Sequence, residues 1–309
     1  MHLGDEKYRA TTLKTSIIYS SSKIGTQNLM RDSLKRIADA LDRLAPKDSF
    51  PETLTQAEGY FWQSDLRQLQ AVDTIRRLPL ACLQGIETQK QQLLDNSRAF
   101  ARGHRANNAL LWGARGTGKS SVLKAVHGQL LNEGLDCAIV ELQREDISDL
   151  PMLMKLLEPV DRRFILFCDD LAFEANDSSY KSLKAVLEGG LAGRPQNIVF
   201  YATSNRRHLM SRQMIDNERG TAINPSEANE EKISLSDRFG LWIGFHSMDQ
   251  ETYLSIIMGY IDYYKLPTSM DAQRADALAW AMGRGNRSGR TAFQFILDLA
   301  ARLNVQLPE

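Results

Sequence analysis

Residues 108–121 read N-A-L-L-W-G-A-R-G-T-G-K-S-S, and the rest of the chain is organised around them. Gly113, Gly118, Lys119 and Ser120 fit the phosphate-loop spacing G-x-x-x-x-G-K-[ST]. Glycines let the backbone curl with positive φ, so that successive N–H groups converge on an anion. Ala114, Arg115, Gly116 and Thr117 supply the rest of the cradle, with Ser121 in the turn that follows. Lys119 would place a point charge on the β- and γ-phosphates, and the Ser120 hydroxyl would ligate Mg²⁺. Upstream, Ala109–Trp112 is a short apolar run that predicts a buried parallel strand. Downstream, a helix from Lys119 to about Leu131 would turn its positive dipole end toward the same anion.

Working outward, Asp136–Leu142 reads as a second strand and Phe164–Cys168 as a third, running into Asp169-Asp170. Asn197–Ala202 is a fourth and Leu241–Phe245 a fifth. Helices are expected at Leu150–Leu157, with Pro151 in the first turn, and at Tyr180–Glu188, closed by Gly189-Gly190. Another should open at Leu83-Gln84-Gly85-Ile86-Glu87 and reach Phe100. This alternation predicts an α/β fold: a five-stranded parallel sheet covered by helices on both faces. Ligands of such sheets bind at the carboxyl ends of the strands. The polar stretch from Ser211 to Lys232 reads as a long surface loop.

The flanks read as helical. Met30, Leu34, Ile37, Leu41 and Leu44 recur at helical spacing, ended by Pro46. Tyr60, Phe61 and Trp62 suit core or domain-interface packing; a peptide- or base-stacking surface is the alternative. From Ser247, with Gln250 at capping-box spacing, three helices are expected: about Tyr253–Ile261, Asp271–Met282 and Arg290–Leu303. The expected organisation is a helical N-terminal region over 1–80, a nucleotide-binding core over 81–246 and a helical lid over 247–309.

The 309 residues carry 38 basic and 38 acidic side chains, which excludes a whole-molecule field drawing nucleic acid or anionic membrane. Cys82, Cys137 and Cys168 lack metal-like spacing and suit buried free thiols in a reducing cytoplasm. The five histidines lie far apart, so a metal site built from them is not expected. Neither an export signal nor a membrane span is legible.

Four further features sit at strand ends or in the lid. Asp169 can hold the Mg²⁺ shell opposite Ser120, and Asp170 can orient an attacking water. Asn205, after the fourth strand, can reach between that acidic pair and the γ-phosphate. Arg238, in S-D-R-F-G, can be presented to a neighbouring subunit's γ-phosphate, or pair with Asp237 at the surface. Arg284, Arg287 and Arg290 can reach back from the lid to bound phosphates; alone, the run would equally suit a nucleic-acid patch.

Together these motifs resemble the AAA+ ATPase superfamily over roughly residues 80–305. Gly113–Ser120 is similar to its Walker A and Phe164–Asp170 to its Walker B. Asn205 resembles its sensor-one residue, Arg238 its arginine finger, and Arg290 (or Arg287) its sensor-two residue. Gly85-Ile86 resembles the segment lining its adenine pocket. Asn107–Gly113, Cys168–Leu171, Tyr201–Leu209, Leu235–Trp242 and Arg287–Arg290 resemble more closely the bacterial ATP-binding family labelled domain of unknown function 815. The resemblance implies a P-loop NTPase αβα sandwich that binds ATP and Mg²⁺. It implies hydrolysis, homo-oligomeric assembly, and work on a macromolecular partner in the cytoplasm. In most hydrolysing members Walker B ends Asp-Glu; here it is Asp169-Asp170, which leaves open a nucleotide-dependent binding switch with slow hydrolysis. Glu174 is a substitute water-polarising residue in that reading. The S-D-R-F-G-L-W run also resembles the arginine-finger segment of replication initiators, so a helicase-loader-like or DNA-bound role stands as the other alternative.

Overall fold

The computed structural model describes residues 57–173, 179–189, 193–207 and 235–307, with 33, 35–37, 54 and 209. The chain divides into two units, Met1–Pro51 and Glu52–Glu309. Of the expected N-terminal helix, residues 33 and 35–37 are helical; its apolar positions Met30, Leu34, Leu41 and Leu44 lie outside the described residues. So do Glu174 and the expected loop over 211–232.

The second unit is built on a seven-stranded sheet in the order β2-β1-β4-β5-β6-β3-β7. The strands are β1 (Gly59–Gln63), β2 (Gln68–Val72), β3 (Ala109–Gly113), β4 (Cys137–Leu142), β5 (Arg163–Cys168), β6 (Ile198–Ser204) and β7 (Leu241–Phe245). The run β4-β5-β6-β3-β7 is wholly parallel and comprises the expected strands. Its interior reads as uninterrupted apolar sequence because both faces are covered: β5 and β6 are buried almost end to end.

Two strands were not expected. β1 extends the sheet parallel to β4, and β2 returns antiparallel to it. Residues 59–72 are therefore part of the core sheet, not of a separate helical region. The physical reason is the period-two placement of Tyr60 and Trp62, 3% and 0% exposed, on one face of β1. This fulfils the core-packing reading of the aromatic cluster. The turn was hard to see because Arg67, a non-glycine residue, takes the left-handed conformation at φ 48°.

The longer helices of this unit are α1 (Glu87–Ala101), α2 (Lys119–Asn132), α3 (Leu150–Leu157), α4 (Tyr180–Glu188), α5 (Gln250–Tyr263), α6 (Met270–Gly283) and α7 (Gly289–Arg302). Leu93 and Phe100 of α1 and Val122, Val126 and Leu130 of α2 pack on Leu111, Ile165, Phe167, Val199 and Ile243 of the sheet. The C-terminal helices α5–α7 enclose a second core around Tyr253, Ile257, Tyr260, Phe295 and Ile296. Each of these helices starts at a side-chain cap. For α5 the cap is Asp249, which accepts from Thr252 N at 2.8 Å, and not the expected Ser247. No helix among the described residues is long and apolar enough to cross a membrane.

Candidate functional site

The candidate site lies where β3, β5 and β6 end side by side. From β3 the chain enters the loop 113–118, and Gly113, Gly116 and Gly118 all take positive φ, at 140°, 76° and 96°. A side chain at Gly113 is impossible without moving β7, since its Cβ would lie 1.8 Å from Phe245 O. Gly118 caps α2, so the loop's amides and the helix's first amides face one concavity. Thr117 Oγ1 donates to Ala114 O at 2.8 Å and braces the turn.

Lys119 is 7% exposed. Its ammonium donates to Gly113 O and Ala114 O, both at 2.8 Å, and to Asn205 Oδ1 at 3.1 Å. Burial lowers its pKa, while Asp169 and Asp170 pull it back up. Ser120 Oγ donates to Asp169 Oδ1 at 2.6 Å. The same carboxylate oxygen accepts from Thr203 Oγ1, and Asn205 Nδ2 donates to Asp170 Oδ1. The loop after β3, the acidic pair after β5 and the end of β6 are thus joined by one hydrogen-bonded network.

Ser120 and Asp169 offer hard oxygen donors 2.6 Å apart. Among the described residues no group of three or more His, Cys, Asp or Glu side chains could hold a metal ion. That donor set fits Mg²⁺ in the manner of nucleotide sites, where one or two protein oxygens act with phosphates and water. It does not fit zinc, which needs three or four nitrogen or sulfur ligands.

The start of α7 also meets the loop. Arg290 N donates to Gly116 O at 3.4 Å, and a Cβ on Gly116 would sit 2.9 Å from Ser288 Oγ. A cleft of about 440 Å³ beside the loop is lined by Arg115, Gly116, Arg284, Asn286, Ser288 and Arg290, among others. Arg287 is exposed and is not among the residues lining it. Gly85 and Ile86 lie near the same end of α2: Ile86 Cδ1 is 3.7 Å from where a Gly118 Cβ would be, and a Gly85 Cβ would meet Thr252 Cγ2 of α5 at 2.3 Å.

A family model described as "Protein of unknown function (DUF815)" matches residues 55–303. The chain belongs to the DUF815 family. No curated protein matches it. Among solved structures, the Thermotoga maritima RuvB Holliday junction branch migration motor is similar at 18% identity and a TM-score of 0.46, covering 73% of this chain and 66% of that one. The Aeropyrum pernix Orc1 protein in complex with DNA is similar at 14% identity and a TM-score of 0.48, covering 72% and 64%. The chain thus spans about two thirds of each, and at these scores neither likeness carries a functional argument. Sheet order and loop position within this DUF815 chain are those of the P-loop αβα sandwich of AAA+ type that its motifs resemble.

The DUF815 structure brings Gly113–Ser121, Asp169, Asp170, Asn205 and the start of α7 together. It does not bring Arg238 there. Arg238 Nε and Nη2 instead contact Glu188 Oε1, at the end of α4, at 2.8 and 2.5 Å. Glu188 thus forms an ion pair with Arg238. The cysteines are buried, as expected. Burial pushes the Cys137 thiol up to about 12 and also raises Cys82 and Cys168, which leaves them unreactive. Two contributors escaped the sequence reading. Thr203 reads along the chain only as the end of a strand, although extended backbone would put it on one face with Asn205 two residues on. Ser288 was seen as a neighbour of arginines, although Ser-x-x-Thr before an apolar run signals the helix cap it forms with Thr291 N at 3.1 Å.

Proposed function

We propose that this protein is an AAA+ type ATPase that hydrolyses ATP with Mg²⁺ in an assembly of identical subunits, and that turnover remodels or loads a macromolecular partner. The observation carrying this reading is the continuous network from Lys119 and Ser120 through Asp169, Asp170 and Asn205. Such a network around a phosphate loop serves phosphoryl transfer and has no use in a merely structural turn.

The loop amides from Ala114 to Lys119 would receive the triphosphate. The Lys119 ammonium, now on two backbone carbonyls and Asn205, would exchange these for β- and γ-phosphate oxygens, which carry full charge. Ser120 and Asp169 would hold Mg²⁺, which neutralises charge building on the phosphate oxygens. Asp170 and Asn205 would orient the attacking water. Its oxygen would bond to the γ-phosphorus as the bond to the β–γ bridging oxygen breaks, its proton passing by way of the Asp170 carboxylate to the departing phosphate, with release of ADP and phosphate. Arg290, with Arg287 as the alternative, would report the γ-phosphate to the lid. Gly85 and Ile86 would pack on the base. Arg238 would leave Glu188 to complete a neighbour's site.

Phosphate release and binding of a fluorescent ATP analogue test this together. Lys119→Ala should abolish both; intact analogue binding in that variant would overturn the site. One observation favours a slower enzyme that acts as a switch. Asp170 stands where a longer glutamate is usual in the resembled family, and its Oδ1 is already engaged by Asn205. Turnover far below about 1 s⁻¹ in the assembled protein would support the switch.

A further inference from the structure

We propose that Thr203 is the residue that positions both Walker B carboxylates, Asp169 for the metal and Asp170 for water. This deepens the reading above and rests on it. A hydroxyl has one proton to give and lone pairs to accept with. Thr203 Oγ1 gives its proton to Asp169 Oδ1 and accepts from Asp170 N at 2.9 Å. The Thr203 carbonyl accepts from Leu171 N at 2.7 Å. Three consecutive residues leaving β5 are therefore held by one residue of β6, whose side chain is 1% exposed.

The consequence lies in the backbone. Asp170 has φ 52°, a left-handed conformation that few residues other than glycine, asparagine and aspartate adopt. The Thr203 bond to the Asp170 amide is the contact that imposes it. In that conformation the shorter Asp170 carboxylate meets Asn205 Nδ2. Asp169 has its Oδ1 fixed between two hydroxyls, Ser120 and Thr203. Thr203 near the end of β6 and Asn205 just beyond it thus divide the labour: Thr203 sets where the pair points, and Asn205 ties the second carboxylate to Lys119.

Thr203→Val keeps the shape and removes the hydroxyl; Thr203→Ser keeps the hydroxyl and removes the methyl group. The first readout uses the full chain without nucleotide or metal. Amide hydrogen exchange at Asp170 should quicken at least tenfold in Thr203→Val and stay near the unsubstituted rate in Thr203→Ser. The second is affinity for a non-hydrolysable ATP analogue titrated with Mg²⁺. Binding without Mg²⁺ should stay within about twofold in both variants. The Mg²⁺ concentration giving half the metal-dependent gain should rise about tenfold or more in Thr203→Val, as loss of a group orienting a metal ligand does, and return toward the original in Thr203→Ser. A folded Thr203→Val protein with unchanged exchange and unchanged Mg²⁺ dependence overturns the proposal. Equal loss in both variants, alongside equal drops in melting temperature, overturns it too, because that is the signature of packing alone. Neither readout needs turnover, so an unsubstituted protein that binds but does not hydrolyse fails the ATPase reading while this one stands. An unsubstituted protein that binds no analogue overturns both.

Discussion

Replacing Arg238 by alanine separates a structural arginine from one that acts on a neighbour's nucleotide, because the two roles differ in size. Within the chain Arg238 meets Glu188 through Nε and Nη2 at 2.8 and 2.5 Å, with the side chains 24% and 44% exposed. A pair that open to solvent contributes about 0–1 kcal/mol. For a domain of this size that corresponds to a melting shift of no more than about 2–4 °C. An arginine that stabilises charge developing in phosphoryl transfer contributes a factor of about 10³–10⁵ in turnover. A thousandfold is about 4 kcal/mol of barrier, far beyond the ion pair. Arg238→Ala should therefore melt within a few degrees of the parent, bind the ATP analogue with similar affinity, and lose at least about a thousandfold in turnover. Mixing supplies the decisive assay. Arg238→Ala and Lys119→Ala subunits should each be nearly inactive alone. Together they would form interfaces in which an intact Arg238 faces an intact Lys119, so phosphate release should reappear on mixing. Turnover of Arg238→Ala within about threefold of the parent would refute the reasoning. So would mixtures that stay silent although both variants assemble.

Other outcomes follow from single contacts. Gly113→Ala would press a Cβ against Phe245 O at 1.8 Å, a backbone atom that cannot step aside. The β3–β7 pairing must open, so stability should fall by about 3 kcal/mol or more in a urea melt; a parent-like melt would show that the loop lies elsewhere. His127 is fully buried, and burial lowers its pKa to about 4, with Nε2 2.7 Å from Cys137 O and Arg77 nearby. The unfolded imidazole takes a proton near pH 6.5 and the folded one near 4. Its contribution is therefore complete above about pH 6.5 and lost as the pH falls through that window, about 2 kcal/mol between pH 7 and 5. Urea melts at both values measure the slope, and an imidazole resonance titrating near 6.5 in the folded protein would exclude it. Asp170→Glu should raise turnover if the switch reading holds and the extra methylene brings the carboxylate to the water; a fall would mean that the Thr203-held geometry is built for aspartate.

What could be read along the chain was local chemistry; what could not was pairing between distant segments. The phosphate loop, the apolar strands running into Asp169-Asp170 and Asn205, and the glycine that closes α4 at Gly189 all lie within a few residues of their own signals. Even so, the start of α5 was read at Ser247 because spacing alone does not say which of two short polar residues bonds Thr252 N. Strands β1 and β2 were missed because a five-residue aromatic strand next to a glycine-free turn looks like any polar-flanked run until Tyr60 is seen opposite Val140. Glu188 lies 50 residues before Arg238, and nothing in either neighbourhood announces the other. The Asp-Asp ending of Walker B shows the limit most sharply. Read along the sequence, Asp170 is a glutamate shortened by one methylene, and the comparison is one of reach. In three dimensions its backbone is turned to φ 52° and its amide is held by Thr203, so the direction of the carboxylate changes along with its length. Length is written in the residue's own letter. Direction is written 33 residues later, in a threonine whose neighbours look like ordinary strand.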